Sequence, residues 1–336
     1  MVIVNSYGLA VFLCFIIMLC WGSWGNTQKL AAKSWRYELF YWDYVIGMVL
    51  FALLLALTLG SFGSDGESFL YNIGHLSWTS VGWILLGGII FNASNILLSA
   101  STSIAGMSVA FPLGVGIALV LGVINNYITN DKGNALLLAI GVTLVVIAIV
   151  CNGIASGKKG ESNISKVDQK KGVILALIAG IVMSFFSSFV MRGMGNVTGE
   201  VPFVHPYATP YTASVIFTIG VLLSNFLFNT LVMKKPFVGE PVTYRQYFAG
   251  NAKTHLVGML GGAIWCLGTA LSYITSKAAG PAVSYALGQG APMIAAIWGV
   301  FVWKEFKGSD RKVYGLLALM FLFFVAGLSL IVAAGM

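Results

Sequence analysis

Residues 86–116 read LGGIIFNASNILLSASTSIAGMSVAFPLGVG, and residues 260–290 read LGGAIWCLGTALSYITSKAAGPAVSYALGQG. Aligned without a gap at an offset of 174, the two stretches agree at 11 of 31 positions. The pairs include Gly87/Gly261, Gly88/Gly262, Ala105/Ala279, Gly106/Gly280, Gly114/Gly288 and Gly116/Gly290. A repeat at half the chain length, in very apolar sequence, predicts two homologous membrane halves rather than a solenoid. Paired halves are the usual build of secondary transporters, whose substrate site lies between the repeats near the bilayer midplane.

Composition agrees. Hydrophobic residues make up 58% and charged residues 9%, against roughly 25% charged in soluble domains. The 40 glycines suit close helix packing in lipid, where small residues let backbones approach. Apolar runs long enough to cross a bilayer recur without strand-type alternation, so the fold expected is an all-α integral membrane protein and not a barrel. Cys14, Cys20, Cys151 and Cys266 all fall in apolar runs and read as buried thiols, with no disulfide framework or metal spacing. The net charge of +8 raises nucleic acid as a partner, but its placement in loops explains it better as a topology signal. The N-terminus shows no basic region or small-residue cleavage site, so the first apolar run reads as a retained span.

Ten spans are expected, at about residues 7–26, 38–59, 80–101, 104–128, 134–152, 172–193, 211–233, 255–276, 279–303 and 312–334. The most polar break, 156–171, reads SGKKGESNISKVDQKK. It divides the chain into a first five-helix repeat (1–155), a basic linker (156–171) and a second repeat (172–336). Odd-numbered loops carry 16 of the 19 Lys and Arg residues. By the positive-inside rule those loops, the linker among them, face the cytoplasm and both termini lie outside. Five spans per half then make the repeat an inverted one, the geometry of alternating access. Connections of two or three residues make spans 3–4 and 8–9 tight hairpins. Pro112, Pro281 and Pro292 are expected to interrupt spans 4 and 9, since proline removes a donor and kinks a helix. Freed backbone groups are tolerated in lipid where a cavity satisfies them; ordinary kinks between packed helices are the competing reading.

Only Glu38 and Asp43, of 11 acidic residues, fall in a span. Glu38 sits in the first turn of span 2, where headgroups and the helix dipole accommodate a carboxylate. Asp43, in ELFYWDYVIG, lies deeper; an intramembrane carboxylate costs about 2.5–3.5 kcal/mol and usually marks an ion or proton pathway. Both are candidate proton-coupling residues. The alternative for Asp43 is an ion pair with Lys33 or Arg36. Asn92, Asn95 and Ser99 share one face of span 3, matched on span 8 by Cys266, Thr269 and Tyr273. Amides carry donors and acceptors suited to a neutral polar solute, and interhelical hydrogen bonding is the rival use. Candidate substrate-binding residues are Trp21, Trp24, Gln28, Asn92, Asn95, Ser187, Trp265, Thr269, Tyr273, Tyr285 and Gln289. Their aromatic rings could stack on a heterocycle or a sugar face. Trp35, Trp42 and Trp303 read as interfacial anchors. No nucleophile–base set, HExxH or CxxC occurs, His75, His205 and His255 fall in loops or at a span end, and SGKKG lacks the GKS or GKT of a phosphate-binding loop. No enzyme, metal or cofactor is expected.

Ten spans in two five-helix repeats resemble the drug/metabolite transporter superfamily, and within it the ureide permeases and their bacterial relatives. The resemblance rests on WGSWGNTQKL (21–30), YWDY (41–44), ALTLGSFG (56–63), GGIIFNASNILLSAS (87–101) and AAGPAVSYALGQGAPMIAAIWGVFVWKEF (278–306). The glucose/ribose and rhamnose porter branches share the Gly-rich hairpins. The resemblance implies proton-coupled movement of allantoin, uracil, xanthine or similar oxo-heterocycles, and for the sugar branches of monosaccharides. It implies that Asp43 is the acidic residue of the YxDY-like motif, that Gln289 is a polar residue of the Gly/Ala-rich ninth span, and that spans 1–4 and 6–9 line a cavity while 5 and 10 pack outside. Plant members carry a longer central loop with a phosphate-loop-like sequence, which this chain lacks. Some superfamily members are drawn with both termini in the cytoplasm; the charge count here places them outside. The expected protein is thus a multi-pass carrier of the plasma (inner) membrane, importing a small neutral polar solute with a proton. A monosaccharide:proton symporter is the runner-up, and a passive channel a further alternative. Its partners would be the solute, the proton and the bilayer, with a homodimer left open.

Overall fold

The computed structural model describes residues 1–32, 35–63, 65–130, 134–158, 166–195, 203–288, 290–304 and 306–334. The first span is α1 (Tyr7–Ser23) and α2 (Gly25–Ala31). The two pieces meet at Trp24, which keeps helical dihedrals, and there Asn26 Nδ2 donates to the Ser23 carbonyl (2.9 Å) and Thr27 Oγ1 to that of Trp24 (2.6 Å). Side chains thereby occupy carbonyls at the junction of the two helices. Then follow α3 (Tyr37–Leu57), the short α4 (Phe69–Gly74), α5 (Trp78–Ala105), α6 (Met107–Asn130) and α7 (Ala135–Lys158). The second half repeats the order with α8 (Lys166–Gly193), α9 (Pro210–Lys234), the short α10 (Tyr244–Phe248), α11 (Ala252–Ala279), α12 (Pro281–Gly288), α13 (Ala291–Ile297) and α14 (Arg311–Ala334). A π-helical turn, Trp298–Val302, extends α13. Long helices start where side chains cap them: Ser77, Thr209 and Asn251 accept from the backbone N–H three residues on.

Among the described residues nine helical stretches are long and apolar enough to cross a membrane, and α6 adds a shorter apolar stretch, Leu113–Asn125. The protein is an all-α, ten-helix, multi-pass membrane protein. Helices related by the repeat make equivalent contacts: α5 packs on α8 as α11 packs on α1, and α9 on α5 as α3 on α11. α3 meets α9 and α7 meets α14 across the pseudo-two-fold. The shared glycines explain part of this. A Cβ on Gly88 would lie 2.3 Å from the Phe217 carbonyl oxygen, and one on Gly262 1.9 Å from that of Tyr44, so these helices touch backbone to backbone. Single residues, Gly106 (φ 86°, ψ 156°) and Gly280 (φ 80°, ψ 145°), join α5 to α6 and α11 to α12. That region is open to glycine alone.

Two expectations about breaks need correcting. The ninth span is made of two helices, α12 and α13, but Pro281 and Pro292 sit in their first turns, where proline's missing N–H costs nothing. Pro112 lies inside α6, which runs on through it. Both termini reach one end of the bundle: Tyr7 Oη donates to the Val332 carbonyl (2.6 Å), and the Met1 ammonium to that of Asp65 (2.8 Å). Arg36 and Lys171 lie at the other, far end, where they bond carbonyls of the 237–240 segment, whereas Arg192 and Lys277 lie at the terminal end against Trp83 and Phe203.

Candidate functional site

A cavity of about 40 Å³ lies between the two halves of the chain. It is lined from the first half by Trp21, Trp24, Phe91, Asn95, Leu98, Phe111 and Val115, and from the second by Met183, Phe186, Trp265 and Ala291. The contributing spans are 1, 3 and 4 and their counterparts 6, 8 and 9. Trp21 and Trp265 face each other nearly parallel (17°) with ring centres 6.2 Å apart, and Phe91 closes on Trp265 at 4.2 Å. A space of this size accommodates a few waters.

Four of the expected substrate residues, Trp21, Trp24, Asn95 and Trp265, therefore meet at one cavity. Others brace it. Thr269 accepts from Trp21 Nε1 (3.3 Å) and so orients that ring. Gln28 pairs with Ser99, donating to its carbonyl and accepting from its hydroxyl (3.2 and 3.0 Å). Asn92 accepts from Tyr41 Oη (3.1 Å) and donates to Ser224 Oγ (2.9 Å), tying α5 to α3 and α9. Tyr285 Oη donates to the Ala118 carbonyl (3.1 Å), joining α12 to α6. Tyr273 is buried against Phe217, and its hydroxyl has no hydrogen-bond partner among the described residues. Ser187 is buried on α8 away from the cavity lining. Gln289 lies outside the described residues. Asn95 is the one amide of the wall, and its Nδ2 donates to Tyr41 Oη (3.1 Å).

A second polar centre lies between the cavity and the far end. Asp43 is fully buried on α3, where Gly258 of α11 lies against it. Its Oδ1 accepts from Tyr247 Oη (2.7 Å) and meets His255 Nδ1 at 2.8 Å. Its Oδ2 lies near the Trp35 indole N–H, and among the described residues both are buried with no hydrogen bond within normal geometry. Of the cationic partners weighed from the sequence, Arg36 pairs with Glu38 instead, and Lys33 lies outside the described residues. Glu38 is itself buried, its ion pair reaching the half-exposed Arg36, which also bonds the Val238 and Glu240 carbonyls. Burial, then the Asp43 carboxylate beside it, pushes the Tyr247 phenol well above its usual range. Trp35 packs edge-on against His255 (5.2 Å), so it walls this centre rather than anchoring in the interface.

At the opposite end Glu67 binds His205 through both its backbone N–H (2.9 Å) and Nδ1 (2.6 Å), and accepts from Asn72 Nδ2 (2.8 Å). Partial burial works against ionisation there. The hydrogen bonds from Asn72 and His205 outweigh it and hold the carboxyl below its ordinary range. Among the described residues no group of His, Cys, Asp and Glu could hold a metal ion.

Ten apolar helices around a small polar-edged cavity have the architecture of a membrane carrier. One crystal structure superposes with a TM-score of 0.59 over 97% of this chain and 98% of its own, at 14% identity, which supports the fold alone. A family model described as Ureide permease matches residues 40–171 and 158–334. Ureide permease 1 and Ureide permease 2 of Arabidopsis thaliana are 25% and 24% identical, each over 99% of this chain and 99% of its own. A protein of Priestia megaterium named probable glucose uptake protein GlcU is 24% identical over 68% of this chain and 71% of its own. The chain belongs to the ureide permease family, and it is a membrane transporter rather than an enzyme.

Proposed function

We propose that the protein imports a small, flat, neutral polar solute of the ureide or nucleobase type together with a proton. The observation that carries this reading is the cavity wall: aromatic faces on several sides and one amide edge. Stacking on Trp21 and Trp265 would hold a planar ring, and the Asn95 amide would hydrogen-bond to its edge. A ring sandwiched between those two indoles needs about 7 Å, twice the ~3.5 Å carbon contact distance. They stand at most 6.2 Å apart, so loading requires the two halves to part by about 1 Å or more at this level. The moving bodies would be residues 1–155 and 172–336, with the far end of the bundle cytoplasmic and the termini outside. Glu67 and its partners would close the outer end.

Proton coupling is assigned to Asp43. A carboxylate inside the bundle crosses low dielectric more easily when neutral, so protonation permits reorientation with solute. Glu38, already satisfied by Arg36, is the reserve candidate. The glucose-uptake relative supports a second reading, a monosaccharide:proton symporter using the same aromatic faces.

The test is uptake into proteoliposomes with an imposed pH gradient, beside counterflow without one, for ureides, nucleobases and monosaccharides. Asp43→Asn is expected to lose uphill accumulation and keep counterflow. Uphill accumulation by that variant refutes the coupling role, and counterflow of sugars alone replaces the first substrate class by the second.

A further inference from the structure

Asp43 has no path of its own to water. Its side chain is 0% exposed, whereas that of His255, hydrogen-bonded to it at 2.8 Å, is 20% exposed. Gly258 covers Asp43 from α11, and Tyr247 covers it from α10. We propose that His255 is the proton relay of this transporter, carrying the proton between Asp43 and water at the far end of the bundle. The inference rests on Asp43 being the coupling group.

The step balances on the imidazole alone. A proton on Asp43 Oδ1 passes to Nδ1 while the proton on Nε2 leaves to water. Asp43 remains as a carboxylate and the imidazole stays neutral in its other tautomer, its Nδ1–H donating to Oδ1. Uptake of a proton from water at Nε2 and loss of the Nδ1 proton to water, once the ring turns away from the carboxylate, reset it. Two ring nitrogens on opposite edges make histidine fit for this, since one edge can face the carboxylate while the other faces out. Here the outer edge lies beside Gly250: a Cβ at that position would stand 2.7 Å from Nε2 and 2.3 Å from the Trp35 ring. The glycine leaves Nε2 room that any side chain would fill.

The surroundings leave the imidazole few competitors. Among the described residues, the groups facing it are Asp43 from α3, Tyr247 from α10 and Trp35 from the segment before α3. Tyr247 donates its only proton to Asp43 and stacks edge-on to the imidazole at 4.9 Å. It holds Oδ1 in place and contributes no charge. Arg36 is engaged by Glu38 and by backbone carbonyls, and Lys253 is exposed at the start of α11. His255 is thus a positioning and proton-carrying residue that touches no solute.

The experiment uses the full chain in proteoliposomes and compares wild type with His255→Asn, Tyr247→Phe and Asp43→Asn. Asparagine keeps an N–H near the Nδ1 position and removes the second ring nitrogen. His255→Asn is expected to slow pH-driven uptake at least tenfold and to leave counterflow within twofold of wild type. Added imidazole buffer should restore its uptake in a saturable manner, and leave wild type unchanged. Tyr247→Phe, which also loses a bond to Asp43 but not the relay, should show no imidazole response. Wild-type pH-driven uptake by His255→Asn overturns the relay, as does joint loss of uptake and counterflow without rescue, which marks a structural clamp. If Asp43→Asn itself accumulates solute uphill, the coupling assignment fails and the relay with it. If Asp43→Asn is inactive uphill while His255→Asn is active, only the relay fails.

Discussion

Adding one methyl group at Gly262 tests how the two halves are held. The Cβ of an alanine there would stand 1.9 Å from the Tyr44 carbonyl oxygen and 2.8 Å from the Met48 nitrogen. Both are backbone atoms of α3 and neither can swing away. A close C···O contact is about 3.3 Å, so α3 and α11 must separate by about 1.4 Å or bend. Overpacking of this kind costs about 1–3 kcal/mol, more when backbone must move. Alanine also gains about 1 kcal/mol in helix propensity, so the sign depends on the clash. Gly82 supplies the control, being helical in α5 with nothing within 4 Å of its Cβ. Gly82→Ala should raise the thermal midpoint of the purified protein slightly, and Gly262→Ala should lower it by several degrees. Gly262 is one turn beyond Gly258, which covers Asp43, so the same separation should also impair pH-driven uptake. Tryptophan fluorescence on heating reads the first effect and proteoliposome uptake the second. A Gly262→Ala midpoint equal to or above that of Gly82→Ala would refute backbone contact as the link between α3 and α11.

Asn92 and Asn95 should separate structure from binding. Asn92→Leu strips partners from both Tyr41 and Ser224 and should destabilise the protein by about 1 kcal/mol or more. Asn95→Leu leaves Tyr41 donating to Asn92, so it should spare stability and weaken solute binding about tenfold; equal effects on both quantities would place Asn95 among the braces. Glu67 has its carboxyl depressed in the folded state, so the stability it contributes is present above pH 4.5 and is lost as pH falls below it through the lowered value. The midpoint difference between wild type and Glu67→Gln should therefore be steady near neutrality and close in acid, and a difference independent of pH would be evidence against the His205 and Asn72 contacts. Single cysteines at Lys158 or Lys171 should resist a membrane-impermeant thiol reagent in intact cells while one at Glu67 reacts; the reverse pattern would invert the proposed orientation.

The sequence carried the architecture in local signals. Span length, loop charge and the 174-residue repeat are read from neighbours along the chain, and Gly106 and Gly280 marked the hairpins before their dihedrals were known. Helix ends were less legible, because α7 and α8 continue into the polar stretch 156–171 where a helix no longer needs apolar residues. Trp21, Trp24, Asn95 and Trp265 stood out as polar or aromatic groups in apolar helices. Phe91, Phe111 and Phe186 line the same cavity but look like any lipid-facing or packed phenylalanine. The partners of Asp43 were hidden by distance: Tyr247 and His255 lie 204 and 212 positions away, one on a short helix between spans and one at a span's edge. Glu67 and His205 are likewise 138 positions apart. A pairwise approach across the two-fold leaves no trace in composition or periodicity.

The one-residue joints at Gly106 and Gly280 bear on how the chain is made. α5 and α11 each contain 28 residues, about 42 Å of helix, which exceeds the ~30 Å hydrocarbon core. Each joint therefore emerges in a headgroup layer with no polar loop to hold the partner helix in water while its neighbour waits. During synthesis at the ribosome the two members of each pair must enter the bilayer together, as a preformed hairpin. A stop codon placed just after Gly106 or Gly280 would strand a helix whose folding partner has not yet been translated.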